Sequence, residues 1–270
     1  MNNQKTKPNI YEFLGWHLGD GCISVNNRYS EFTLTGDIKE ELQFYEMIIV
    51  PTFNRMFKDI MKKKVELKKY QSNGVCGIYI FDKYFVDYLQ KEWGLVKGKK
   101  LNIGIPALIK TIEQKRSFIR GLFDTDGSIY FCKSNVKTKK ESLRGLFHYK
   151  PKIKIATISQ KLIKDTYGIL SSLDIACRIQ KPIRQRKQDH TMHSIIIDTK
   201  GGTNRFIQDI GFRNVKHITK IKIWKRFGFC PPLTSIKDRI MILENKLNPL
   251  EFYDYGNQYS HKKLRDYLDW

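Results

Sequence analysis

One feature narrows the folds open to this 270-residue chain more than any other: an apolar segment ending in Asp-Gly occurs twice. FLGWHLGDG (13–21) and IRGLFDTDG (119–127) place Asp20 and Asp126 106 residues apart. The patterns that follow recur in the same order. After the first segment come strand-like runs CISV (22–25) and YSEFTLT (29–35) around a turn at Asn26 and Asn27, then a helix over about 38–50. A second hairpin, VELKKYQ (65–71) and VCGIYIF (75–81), precedes a helix over 83–92. After the second segment, SIYFCK (128–133) and KIKIATI (152–158) flank a long basic connection, and a helix spans about 160–173. IACRIQK (175–181), HSIIID (193–198) and a closing helix, GTNRFIQDIG (202–211), complete the copy. The same interval counted on from Asp126 ends at the pair Pro231-Pro232, where regular pattern breaks. Such a period predicts a duplication, with two similar halves facing each other. We place the first half at 1–98, a linker at 99–111, the second half at 112–232 and a mainly helical extension at 233–270.

The two repeated helices carry the chemistry. Asn9 with Glu12, and Thr111 with Gln114, have the spacing of a capping box. Each helix stops at Asp-Gly, and Gly21 stands where a helix commonly turns left-handed. Gly15 and Gly19 are four residues apart, as are Gly121 and Thr125, so each pair lies on one helical face. Small residues at that spacing permit close backbone approach. Packed side by side, the helices end with Asp20 and Asp126 at one level. The negative end of each helix dipole disfavours an anion there, and two neighbouring acids raise each other's pKa unless a cation sits between them. A divalent metal resolves the conflict, and carboxylates with carbonyls and water suit Mg²⁺, which bridges to phosphate oxygens. One Asp-Gly after an apolar helix is an ordinary turn. Two copies with matched spacing and matched hairpins call for more than that.

Charge points to the partner. The chain has 49 Lys+Arg against 27 Asp+Glu, a net +22, and residues 133–187 alone hold 15 basic and 3 acidic residues. Residues 1–115 carry +5 and residues 116–270 carry +17. Such crowding repels itself unless a polyanion lies across it. A membrane-surface helix would show a large apolar moment, which this stretch lacks, so nucleic acid fits better. No apolar run approaches the ~20 residues that span a bilayer, and residues 1–9 have no signal-like apolar stretch. Five cysteines, an odd number with no Cys-x-x-Cys, suggest neither disulfide framework nor zinc site. The expected setting is intracellular and reducing, a prokaryotic cytoplasm or an organelle matrix.

Period-two alternation in KIKIATI puts Lys152, Lys154 and Ala156 on one face and Ile153, Ile155 and Thr157 on the other. With the apolar face on helices, the lysines face outward. VELKKYQ is less regular, with either Glu66, Lys68 and Tyr70 or Lys69 outward. Basic connections add Lys137, Lys139, Lys140 and Arg144, then Arg184, Arg186 and Lys187, and Arg28 lies in the first hairpin turn. Arg178, Gln180 and Gln185 have base-reading side chains, whereas most basic residues would contact phosphate. The competing reading for any one of them is a solvated charge.

The two repeated segments resemble the paired motifs of single-chain LAGLIDADG homing endonucleases. IRGLFDTDG is the closer match, and FLGWHLGDG departs at Trp16, His17 and Leu18 but keeps Gly15 and Asp20-Gly21. The resemblance implies an α+β fold of two pseudo-twofold αββαββα halves, each with an antiparallel, saddle-shaped sheet, packed through the motif helices. It implies a monomeric, intron-encoded enzyme that cuts a long, nearly asymmetric duplex site. One phosphodiester per strand would be hydrolysed across the minor groove, leaving short 3′ overhangs. Asp20 and Asp126, with the carbonyls of Gly19 and Thr125, would bind catalytic Mg²⁺, with Mn²⁺ a substitute. Leu18 stands where Asp124 keeps an acid, so that inner position is not expected to serve the chemistry. GLVKGKKLNIGIP resembles the element carrying an assisting lysine, with Lys99 or Lys100 the candidate, and IGFRNVKHITK offers Lys216, then Lys220. Asp37 and Ser159 are expected to hold water near the metals. Alternatives on the same fold are an intron RNA splicing cofactor and a DNA-binding protein that does not cut.

Overall fold

The computed structural model describes residues 7–98, 100–134, 142–184, 190–268 and 270. Its centre is a pair of helices, α1 (Ile10–Asp20) and α5 (Ile112–Thr125). Their backbones meet at the small residues: a Cβ at Gly15 would lie 2.3 Å from the Phe118 carbonyl oxygen, and one at Gly121 2.1 Å from that of Glu12. A Cβ at Gly19 would lie 2.1 Å from Thr125 Oγ1. The spacing read from the sequence is therefore a helix-to-helix seam.

Each helix leads into a four-stranded antiparallel sheet. The first contains β1 (Gly21–Val25), β2 (Ser30–Asp37), β3 (Lys68–Tyr70) and β4 (Val75–Ile80), in the order β1-β2-β4-β3. The second contains β5 (Gly127–Cys132), β6 (Lys150–Thr157), β7 (Arg178–Ile179) and β8 (His193–Ile197), in the equivalent order β5-β6-β8-β7. The repeat is thus a repeat of topology. Between the strands lie α2 (Ile38–Phe44), α3 (Val50–Met56) and α4 (Lys83–Trp93) in the first half. The second half has α6 (Ser142–Leu146), α7 (Gln160–Ser172), α8 (Lys200–Arg205) and α9 (Val215–Phe227). The first core is aromatic, with the rings of Phe13, Phe53 and Phe85 all within 5.3 Å of the Phe57 ring. The second is built on Ile129, Ile153, Ile155, Ile195 and Ile197, all buried. That burial confirms the alternation in β6, whose Lys152 and Lys154 are half-exposed.

Several local expectations change. Gly21 is extended (φ −78°, ψ 152°), not left-handed. Glycine is needed there for space, because a Cβ would lie 2.4 Å from His17 Nδ1. Thr111 and Gln114 form a reciprocal capping box, but only Asn9 caps α1: the Glu12 side chain turns inward to Arg120 and Arg213. The helix expected over 38–50 continues to Met56 through a π-helical turn at Tyr45–Ile49. That wide turn accommodates Pro51, which cannot donate to the preceding turn. Both outer edge strands are shorter than their patterns, as suits exposed edges. Within β3, Lys69 pairs with Glu46 at 2.7 Å while Lys68 and Tyr70 lie over Tyr79. The closing helix starts at Lys200 and ends in a π turn, Phe206–Ile210.

The α9 helix was not foreseen. ITKIKIW alternates like a strand, yet α9 is wedged among α2, β5 and the extension, so residues on several sides are covered. Lys220 on α9 donates to the Ile129 carbonyl on the free edge of β5, and Gly98 N–H donates to Ile23 on the free edge of β1. The extension contains α10 (Ile236–Leu243) and α11 (His261–Tyr267). Buried Arg239 ties it to Glu40 of the first half. Tyr253, Tyr255 and Tyr259 pack their rings on Phe147, which makes the aromatic tail part of the body.

Candidate functional site

The seam delivers Asp20, the last residue of α1, and Asp126, just after α5, to one place. Burial raises the Asp20 carboxyl well above the ordinary carboxylate range; the charges of Glu41 and Asp126 add to the rise, while Lys216 and Lys100 oppose it. Asp126 is pushed up to about 6, first by desolvation, with Lys100 and Lys216 pulling down and Glu41 pushing up. Its carboxyl reaches solvent although protein fills most of the space around it. Both acids are therefore reluctant anions, held where a cation would settle them.

Two lysines already answer that charge. Lys100 Nζ donates to the carbonyls of His17 (2.5 Å), Leu18 (3.1 Å) and Gly19 (3.2 Å), closing the end of α1. Lys216 Nζ donates to Thr125 O (3.2 Å) and to Glu41 Oε1 (2.7 Å). Gly19 and Thr125 are the two carbonyls proposed as metal ligands, and each carries an ammonium group. The four residues expected to act with Gly19 and Thr125, namely Asp20, Asp126, Lys100 and Lys216, are thus brought together. Among the described residues no group of three or more His, Cys, Asp or Glu forms a metal cluster. The donor set on offer is two carboxylates and two carbonyls. Hard oxygens that need a positive neighbour fit a cation of the Mg²⁺ or Mn²⁺ type.

Sequence reading missed Glu41. It is buried, accepts also from Asn214 Nδ2 (2.9 Å) and the Asp37 N–H (2.9 Å), and lies behind both acids. The only cue was a run of glutamates on one helix. Asp37 and Ser159 are N-caps of α2 and α7, so their side chains serve helix ends. Asp124 is fully buried and accepts from Arg213 and Asn214 N–H groups; burial lifts it to about 8. Its place is structural, as the departure at Leu18 suggested. Buried His17 stacks on Phe32. A cavity of about 530 Å³ opens beside Lys216, lined also by Glu41, Tyr130, Lys220 and Leu233.

The outer face of the second sheet carries Lys152 and Lys154 opposite Tyr130 and Ser128. Arg178 is exposed there but paired with Asp198 at 2.7 Å, and Gln180 accepts from Ser194 at 3.1 Å. Arg28, Lys68, Tyr70 and Arg184 are exposed. Lys99, Lys137, Lys139, Lys140, Gln185, Arg186 and Lys187 lie outside the described residues. No helix among the described residues is long and apolar enough to cross a membrane.

Residues 113–211 match the family model of a LAGLIDADG-like domain. The fold is that of I-SmaMI, a lysine-to-alanine mutant of which aligns over 97% of both chains with a TM-score of 0.52 at 13% identity. It is also that of I-DmoI in complex with DNA and Mn, with a TM-score of 0.51 at 14% identity over 74% of this chain and 94% of that one. The second half thus carries a LAGLIDADG-like domain, and the whole chain has the two-repeat fold of I-SmaMI and I-DmoI. The α+β architecture and the seam of motif helices are those expected for LAGLIDADG homing endonucleases. A curated relative is the replication factor C small subunit of Methanocaldococcus jannaschii, 25% identical over 222 residues. That match takes in 82% of this chain but 10% of the relative, so the chain spans about a tenth of that protein's length.

Proposed function

We propose that this LAGLIDADG protein is a site-specific, Mg²⁺-dependent endonuclease. It acts as a monomer on a long, nearly asymmetric DNA duplex, hydrolysing one phosphodiester per strand across the minor groove and leaving short 3′ overhangs. The observation that carries this reading is the pair of reluctant acids with two lysines beside them, each lysine bound to a carbonyl just before one acid and both acting on both acids. I-DmoI, a homing endonuclease of the same fold, has been crystallised with DNA in the presence of Ca or Mn.

A bound divalent ion would polarise the scissile phosphate and lower the pKa of an attacking water. Asp20 and Asp126 hold that charge in place. Lys216 and Lys100, drawn close by carbonyls, present ammonium groups where negative charge grows on the phosphate. Lys152 and Lys154 hold the backbone of the duplex and supply position without sequence information. Arg28, Lys68, Tyr70 and Arg184 extend the grip, and Arg178 and Gln180 read bases after exchanging their present partners. The five cysteines are unpaired, which supports a reducing compartment.

The test is cleavage of a randomised duplex library with Mg²⁺, followed by sequencing of the ends. Asp20→Asn and Asp126→Asn should each abolish double-strand cutting and leave DNA binding largely intact. Equal cutting by both variants would remove the proposed site. Tight binding without cutting by the wild type would favour the non-cleaving alternative, and preference for structured RNA the splicing cofactor.

A further inference from the structure

The two lysines are held differently. Lys100, at the start of the linker, spends its three donors on three backbone carbonyls of α1. Lys216 spends one on Thr125 O and one on Glu41 Oε1, and no described residue takes the third. Glu41 comes from the other half of the molecule, on α2. Its carboxylate is fixed on every side. Oε1 also accepts from Asn214 Nδ2 at 2.9 Å, and Oε2 accepts from the Asp37 N–H at 2.9 Å. Gly36 makes room for it, since a Cβ there would lie 2.3 Å from Oε2. A buried anion with three donors is a rigid anchor.

We infer that Glu41 is a positioning residue that sets Lys216 from across the seam, so the two cutting centres are built unequally. One centre takes its lysine from the linker, held by peptide carbonyls alone. The other depends on a carboxylate supplied in trans, which fixes the lysine stem and leaves one ammonium proton for a phosphate oxygen. Removing the anchor lets Lys216 fold away from Thr125 and slows one strand's cleavage selectively. This inference rests on the endonuclease reading.

The experiment uses the cleaved duplex selected above, labelled separately on each strand, under single-turnover conditions. Wild type, Glu41→Ala, Glu41→Gln, Lys216→Ala and Lys100→Ala are compared. Glu41→Ala should slow one strand by about 10- to 100-fold, as loss of a supporting partner commonly does. The strand affected should be the one that Lys216→Ala slows, so nicked duplex accumulates with the other strand cut. Glu41→Gln keeps an acceptor oxygen in the same shape and should show the same bias more weakly. It also carries the test if the alanine variant fails to fold. Equal slowing of both strands, or the bias of Lys100→Ala, would overturn the inference. Wild-type protein that binds but cuts neither strand would instead overturn the endonuclease reading, and this inference with it.

Discussion

Replacing Gly121 by alanine tests the seam that the whole site depends on. Alanine is the better helix former by about 1 kcal/mol, so propensity alone predicts a gain. The new Cβ, however, would lie 2.1 Å from the Glu12 carbonyl oxygen and 2.9 Å from its carbon. Comfortable C···O contacts begin at about 3.3 Å, so the helices must part by roughly 1 Å. Both partners are backbone, and no rotamer can yield. Overpacking of this kind costs about 1–3 kcal/mol, which offsets the propensity gain and leaves a net loss of up to roughly 2 kcal/mol. Gly168 on α7 provides the control, because a Cβ there meets nothing within 4 Å. Gly168→Ala should therefore stabilise by about 0.5–1 kcal/mol. The same shift at the seam separates Asp20 from Asp126, and a 1 Å misplacement of catalytic groups costs about 100-fold in rate. Urea denaturation and cleavage of the selected duplex read the two effects. A Gly121→Ala variant as stable and as active as Gly168→Ala would show that the helices are not in contact there.

Other outcomes follow from the charges and the backbone. Asp124, lifted to about 8 by burial, stays protonated in the fold where the unfolded chain's aspartates are ionised. At this residue the folded state thus binds the extra proton from about pH 4 to pH 8, and above about pH 6.5, the ordinary histidine value, metal-free stability should fall as pH rises. Below it, His17 and His217, whose pKa values burial lowers, act in the opposite sense. Asp124→Asn should flatten the alkaline limb in urea titrations; an unchanged slope would refute the assignment. At the proposed metal site Mg²⁺ would compete with protons for Asp20 and Asp126, so it should raise the melting temperature more at pH 8 than at pH 6. Lys152→Ala with Lys154→Ala should reduce the salt dependence of DNA binding by about two phosphate contacts, and a slope equal to wild type would place both lysines off the duplex. Leu233 is fully exposed at φ 56°, a left-handed conformation that asparagine tolerates better. Leu233→Asn should gain about 1 kcal/mol on thermal melting, and a loss would mean that its side chain is packed.

Much of the fold was legible because its signals are local. Asn9, Thr111 and the small-residue spacing act within a few residues, and the alternation in β6 needs only one covered face. What escaped was decided by distant partners. Glu12 has the spacing of a cap residue, yet two arginines from the second half claim it. ITKIKIW has the alternation of a strand, yet neighbours on several sides allow a helix. Asp37 and Ser159 are the exception, since both cap the helix that follows them through contacts two or three residues away.

The amino-acid sequence by itself determined that the chain is a duplication, that two acids end its apolar helices, and that its second half is the more basic. These follow from periodicity, composition and spacing, which involve no long-range contact. Only the tertiary structure decided that Lys100 and Lys216 bind the carbonyls just before the two acids, and that Glu41 reaches across the seam to hold Lys216. Those relations join residues up to 175 positions apart. Burial then turns ordinary aspartates into reluctant anions, because desolvation belongs to the packed molecule and to no segment of it.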